Sequence, residues 1–181
     1  MAIVGAGPLG RWLALAAARA GYNVLLEDVM PANLHHAREA LRRELSAEAL
    51  PAVQFVSTVE DAVRDADLVI DCVPDELESK LEIFWLLDRM APPRTVLATP
   101  TTRLSIGDLA ACTYRADKCV AIVVEARELA GCEERPAGEL LLRTTRQTAP
   151  ETIAVVRNFL ERVGFEPRFE LESDVSGPVG V

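Results

Sequence analysis

Three glycines within the first ten residues, Gly5, Gly7 and Gly10, are spaced G-x-G-x-x-G between a β-branched start, Ile3-Val4, and a helical stripe of Leu13, Ala16, Ala17 and Ala20. Glycines at that spacing allow a strand to turn tightly into a helix, let another group approach the backbone, and let helix pack closely on strand. Such an opening commits the chain to a strand-helix unit, and the sequence repeats that unit. Residues 24–28 read as a second strand. A helix follows with Leu34, Ala37, Leu41 and Leu45 inward and Arg38, Glu39, Arg42 and Arg43 outward. A third strand spans 53–56, and 67–73 is a nearly continuous apolar run of the kind buried on both faces of a parallel sheet. The next helix carries Leu77, Leu81, Phe84, Trp85 and Asp88 on one stripe and stops at Pro92-Pro93. Strands are expected again at 95–98, 118–124 and 165–171.

Helix boundaries are marked by residue chemistry. Gly21 and Gly164 end helices, and Ser105 with Asp108 reads as an N-cap with an acidic partner three residues on. Thr148 with Glu151 has the form of a capping box, with Pro150 in the first turn of a helix whose face is Ile153, Val156, Phe159, Leu160 and Val163. Strands alternating with helices require crossover connections, so the fold class is α/β: a Rossmann-type, doubly wound, mainly parallel sheet with helices on both faces. Residues 1–172 form one such domain. Residues 173–181, rich in Gly, Ser and Pro, read as a linker-like tail.

The bulk properties narrow the partners. The chain has 181 residues, 50% of them hydrophobic and 26% charged, with a formal net charge of −9. That is ordinary globular usage, and an acidic balance disfavours nucleic acid, whose phosphates need basic surface. The longest apolar runs, 12–18 and 119–124, fall far short of the roughly 18 residues of a membrane span, so no membrane is expected. No basic leader with an apolar core opens the chain, and a cytoplasmic location is expected. Cys72, Cys112, Cys119 and Cys132 show no C-x-x-C spacing and are expected to be reduced, and no metal-ligand cluster is apparent.

The second expected strand ends in Glu27-Asp28, about twenty residues beyond the glycines, where an acid takes the ribose hydroxyls of a dinucleotide. Asp28 also repels a 2′-phosphate, so the expected cofactor is NAD rather than NADP. Its pyrophosphate belongs at the Gly5 to Gly10 loop, where Pro8 removes one amide but Leu9 and Gly10 still donate.

A second block, Asp67-Leu-Val-Ile-Asp-Cys-Val-Pro-Asp-Glu-Leu-Glu-Ser-Lys80, resembles the NAD-binding domain of the 3-hydroxyacyl-CoA dehydrogenase family, which reads A-D-x-V-I-E-A-V-P-E-x-x-x-x-K-x-x-x-F. Ala66, Asp67, Val69, Ile70, Val73, Pro74, Lys80 and Phe84 match, and acid persists at Asp71 and Asp75. The resemblance implies that Val73, Asp75 and Lys80 join Gly5, Gly7, Leu9, Gly10 and Asp28 in holding NAD, with Asp75 and Lys80 toward the nicotinamide. The bland alternative is that Asp75 only favours a helix N-terminus and Lys80 is solvated. The resemblance continues through residues 97–106, similar to the family's A-S-N-T-S-S-L-S-I, and places Thr102 at the substrate-contacting serine. A 3-hydroxyacyl-CoA is the substrate implied, oxidised to the 3-keto thioester in fatty acid metabolism.

The departures lie at the catalytic end. Pro100 stands where the family has asparagine, and ungapped alignment places Val123 at the histidine that serves as general base. The chain's two histidines, His35 and His36, both fall on the second helix and read as exposed surface residues. Glu125 lies close to Val123 but is a poor substitute, and Trp12 is larger than the family's usual residue. The tail 174–179 is similar to the family segment D-x-P-G-F-V that introduces a helical C-terminal domain, which this sequence does not include. In the family that domain completes the acyl-CoA site and much of the dimer contact. The readings left open are a dehydrogenase domain whose base is lost or comes from another chain, a non-catalytic NAD-sensing or partner-binding module, and a 3-hydroxyisobutyrate-type dehydrogenase, against which the V-P-D-E-x-x-x-K block argues. A homodimer or a complex with another chain is the expected assembly.

Overall fold

In the computed structural model, which describes residues 1–124 and 138–172, the strands join into one eight-stranded sheet. Strands β1 (Ala2–Val4), β2 (Val24–Glu27), β3 (Val53–Val56), β4 (Leu68–Asp71), β5 (Val96–Pro100) and β6 (Cys119–Val123) run parallel in the order β3-β2-β1-β4-β5-β6. Strand β7 (Gly138–Thr144) joins β6 antiparallel, and β8 (Phe165–Leu171) lies parallel to β7. The sheet is the mainly parallel, doubly wound one expected.

Alternation along each strand divides the core in two. Ile3, Leu26, Ile70, Ala98 and Val120 face α1 (Pro8–Arg19), α2 (Pro31–Glu44) and α6 (Pro150–Val163). Ala2, Val4, Val69, Leu97 and Ala121 face α3 (Val59–Val63), α4 (Leu77–Met90) and α5 (Ile106–Ala111). Strand order reverses between β1 and β4, and in such sheets the ligand crevice lies outside the strands' carboxyl ends at that point.

Several boundary expectations hold at the atomic level. Ser105 Oγ accepts from the Asp108 N–H, and Gly164 closes α6 with φ 110°. Others need correction. Thr148 is not a cap: α6 starts from Ala149 with no side-chain cap, while Thr148 Oγ1 donates to the Cys119 carbonyl at 3.2 Å and accepts from Thr145 N–H at 2.9 Å. A tertiary partner outcompeted the local one. The buried face of α4 is Lys80, Ile83, Phe84 and Leu87, whereas Leu77 and Trp85 of the expected stripe are exposed. Lys80 draws the helix round by reaching inward to Asp71, and Trp85 stays outside under the Arg89 guanidinium, 4.9 Å from its ring centroid. Strand β2 ends at Glu27, which leaves Asp28 in the turn beyond it. Neither β7 nor α3 had been expected, and the Cys132, Glu125 and tail readings lie outside the described residues.

Candidate dinucleotide site

At the reversal point the carboxyl ends of β1, β2, β4 and β5, with Val124 beyond β6, surround a cleft of about 1370 Å³. Of the residues singled out from sequence, Gly5, Gly7, Leu9, Asp28, Val73, Asp75, Lys80 and Thr102 all line it. Gly10 does not; it is buried beneath the loop, and a Cβ there would collide outright with the Gly5 carbonyl oxygen. Gly5 has φ 102°, and a Cβ on it would stand 2.9 Å from the Cys72 carbonyl oxygen, so this turn accepts only glycine. Gly7 differs. Its φ of −64° suits any residue and a Cβ would meet nothing within 4 Å. Protein packing therefore does not require glycine at position 7. The open space lies over the N-terminus of α1, where Leu9 and Gly10 N–H have no carbonyl one turn before them and the helix dipole favours an anion. A pyrophosphate fits that cradle.

The glycine loop is tied to the end of β2. Gly5 N–H donates to the Glu27 carbonyl and Ala6 N–H to Asp28 Oδ2, both at 2.8 Å. Asp28 Oδ1 accepts from Met30 N–H at 2.8 Å, and the Asn33 amide bridges both carboxylate oxygens at 3.1 and 3.0 Å. The carboxylate thus already accepts four hydrogen bonds. Glu27, its neighbour, is 2% exposed and Oε1 meets no donor. Burial first, and the adjacent Asp28 second, push the Glu27 carboxyl up to about 7.

On the far side of the cleft, Lys80 is not solvated. It is 1% exposed, and its Nζ lies 2.9 Å from Asp71 Oδ2, which also accepts from Thr99 Oγ1 at 2.8 Å. Asp71 Oδ1 takes the Val73 N–H at 2.9 Å, so the buried pair fixes the start of the loop that carries Val73 and Asp75. Complete burial pushes Asp71 above the ordinary carboxylate range against the pull of Lys80. Nor does Asp75 cap α4, whose N-cap is Glu76; Asp75 Oδ1 is buried without a donor in the cleft wall. Cys72 also lines the cleft, but burial raises its thiol pKa far out of the reactive range.

The β5 and β6 end of the cleft holds Pro100, Thr102, Arg103 and Val124. Residue 123 itself, at the end of β6, pairs with Leu141 and does not line the cleft. His35 and His36 lie exposed on α2, away from the lining. Among the described residues no cluster of three metal-ligating side chains occurs, and no helix is long and apolar enough to cross a membrane. Cys72, Cys112 and Cys119 are free thiols. Among the polar cleft residues that sequence reasoning missed are Asn33, Arg103 and Glu27. Arg103 and Asn33 had no signal beyond proximity, but Glu27 was visible as an acid at a position where strand alternation turns it into the sheet's covered face.

Comparison with known proteins agrees with this geometry. The sequence profile of the "3-hydroxyacyl-CoA dehydrogenase, NAD binding domain" matches residues 1–123. The chain is 29% identical to the 5-formyl-3-hydroxy-2-methylpyridine 4-carboxylate 5-dehydrogenase of Mesorhizobium japonicum, over 98% of this chain and 58% of that protein. It is 31% identical to a probable 3-hydroxybutyryl-CoA dehydrogenase of Bacillus subtilis, over 65% of this chain and 45% of that one. In fold it is similar to the crystal structure of (S)-3-hydroxybutyryl-CoA dehydrogenase from Ralstonia eutropha, with a TM-score of 0.83 and 24% identity over 95% of this chain and 63% of that chain. The chain spans about half the length of the curated relatives it matches. The glycine loop, the acid beyond β2 and the matched profile together place this chain in the 3-hydroxyacyl-CoA dehydrogenase family, within its NAD-binding domain.

Proposed function

We propose that the cleft holds NAD in one defined orientation. The pyrophosphate lies over Gly7 against the Leu9 amide, the adenosine ribose on Asp28, and the nicotinamide half toward Val73, Asp75 and Thr102. The observation that carries this reading is the unfilled space over Gly7 at the α1 N-terminus, in the same cleft as Asp28. Lys80 acts through Asp71, shaping the Val73 to Asp75 loop from beneath.

When bound, NAD accepts a hydride from an alcohol carbon while the hydroxyl proton goes to a base. A 3-hydroxyacyl-CoA is the substrate we assign, with Thr102 near its hydroxyl. Among the described lining residues, however, the β5 and β6 end offers Pro100, Thr102, Arg103 and Val124, and no neutral base. That supports a second reading, a domain that binds NAD without turnover on its own. Fluorescence titration with NADH followed by acetoacetyl-CoA in the same cuvette separates the two: cofactor binding with negligible NADH oxidation supports the second, and appreciable turnover by the pure chain excludes it. A homodimer is the proposed assembly, supported by Leu77 and Trp85 standing exposed on α4, and the cytoplasm is the location proposed for it.

A further inference from the structure

One wall of the cleft is apolar, built from Val4 on β1, Val59 on α3, Val73 after β4, and Ile83 and Leu86 on α4. Glu27 is set among them. Its backbone pairs with Val4, and strand alternation sends its side chain to the α3 and α4 side of the sheet, opposite Leu26. The residue is 2% exposed, yet Oε1 meets no hydrogen-bond donor. Buried polar atoms are nearly always paired, and one left unpaired costs about 1–3 kcal/mol. A valine would fill this place in the fold without that cost.

Asp28 follows directly. A nucleotide whose ribose sits on Asp28 carries its base within one sugar's width of that carboxylate, and an apolar wall suits the flat face of a purine. We propose that Glu27 reads the adenine base of the cofactor, its carboxyl pairing with a ring nitrogen and the exocyclic amine. This rests on the NAD assignment above and adds to it a contact that the glycine loop and ribose acid do not specify.

The adenine edge offers an acceptor beside a donor. A neutral carboxyl group matches it with an O–H and a C=O, whereas a carboxylate opposes the ring nitrogen's lone pair with a second acceptor. Burial and Asp28 favour the neutral form up to a pH of about 7. The other titratable groups lining the cleft are Asp28 beyond β2, Cys72 and Asp75 after β4, Lys80 and Glu82 on α4, and Arg103 after β5, while β1 and α3 contribute only Val4 and Val59. Lys80 is committed to Asp71. Base binding therefore favours the protonated acid, and affinity falls as pH rises through about 7.

The test is NADH affinity by fluorescence titration from pH 6 to 8.5 for the full chain, Glu27→Gln and Glu27→Leu, with AMP and nicotinamide mononucleotide as separate probes and melting curves as the check on folding. The parent should weaken severalfold across the range. Glu27→Gln, which keeps a donor and an acceptor, should hold the parent's pH 6 affinity throughout, and Glu27→Leu should be weaker at pH 6 by about thirtyfold, the worth of two hydrogen bonds. AMP should share the pH dependence and nicotinamide mononucleotide should not. Parent-like affinity and pH profile in both variants overturn the proposal, as does tighter binding by Glu27→Leu at every pH. Failure of the parent itself to bind NADH would instead refute the NAD assignment.

Discussion

At the level of single residues, glycines of one motif do different work. Gly10 is held by packing under Gly5, whereas nothing in the fold holds position 7 to glycine and the proposed cofactor would use the space over it. Gly10→Ala is therefore expected to lower the melting temperature sharply. Gly7→Val should melt near the parent yet lose NADH binding, and equal melting losses in the two would contradict this division. Glu27 makes a second residue-scale prediction. Its carboxyl ordinarily titrates near 4.5 and is raised to about 7 in the fold, so the folded chain binds the extra proton more tightly between those values. That contribution to stability is complete below about 4.5 and is lost as pH rises through about 7. Glu27→Gln should accordingly melt higher than the parent at pH 8 and lose this advantage at pH 5, as followed by circular dichroism. The motif residues were legible because glycine and acid requirements are local. Asn33 was not, since nothing in its sequence neighbourhood announces that its amide will bridge Asp28.

Among secondary-structure elements, the boundaries read correctly are those set by backbone chemistry, such as the left-handed Gly164 and the Ser105 cap. The errors arise where a distant partner outweighs local preference, as with Thr148 bonding to Cys119 and Lys80 turning α4 toward Asp71. Strand β7 escaped because three successive leucines followed by Arg143 show no clean alternation, although Leu140, Leu142 and Thr144 are its buried side. The far end of α4 depends on such a distant partner. Arg115, only 8% exposed, donates to Asp88 Oδ1 at 2.8 Å and to the carbonyls of Asp88, Ala91 and Pro92, closing the helix end from outside. Arg115→Met removes the guanidinium from Asp88 Oδ1 and those carbonyls, leaving Asp88 Oδ2 its Tyr114 N–H and the Pro92 carbonyl its Thr95 N–H, and should cost about 3 kcal/mol in urea denaturation. A loss under 1 kcal/mol would show that water replaces the guanidinium.

For the molecule as a whole, the alternation of strands and helices made the sheet and its ligand crevice predictable, because a parallel sheet has few acceptable windings and its reversal point is where ligands bind. The catalytic end was less legible, since the sequence says which family residues are replaced but not what chemistry the replacements support. Assembly belongs to this scale as well. Light scattering at micromolar concentration should give twice the 19.7 kDa chain mass if the proposed dimer forms, and a clean single-chain mass would count against it. The central claim, one NAD-shaped cleft built on the glycine loop and Asp28, is tested most directly by NADH titration of the parent and Asp28→Ala. The parent should bind saturably, and Asp28→Ala should bind at least about tenfold more weakly, the scale of hydrogen bonds to a charged group. Equal binding by both, or none by the folded parent, would contradict it.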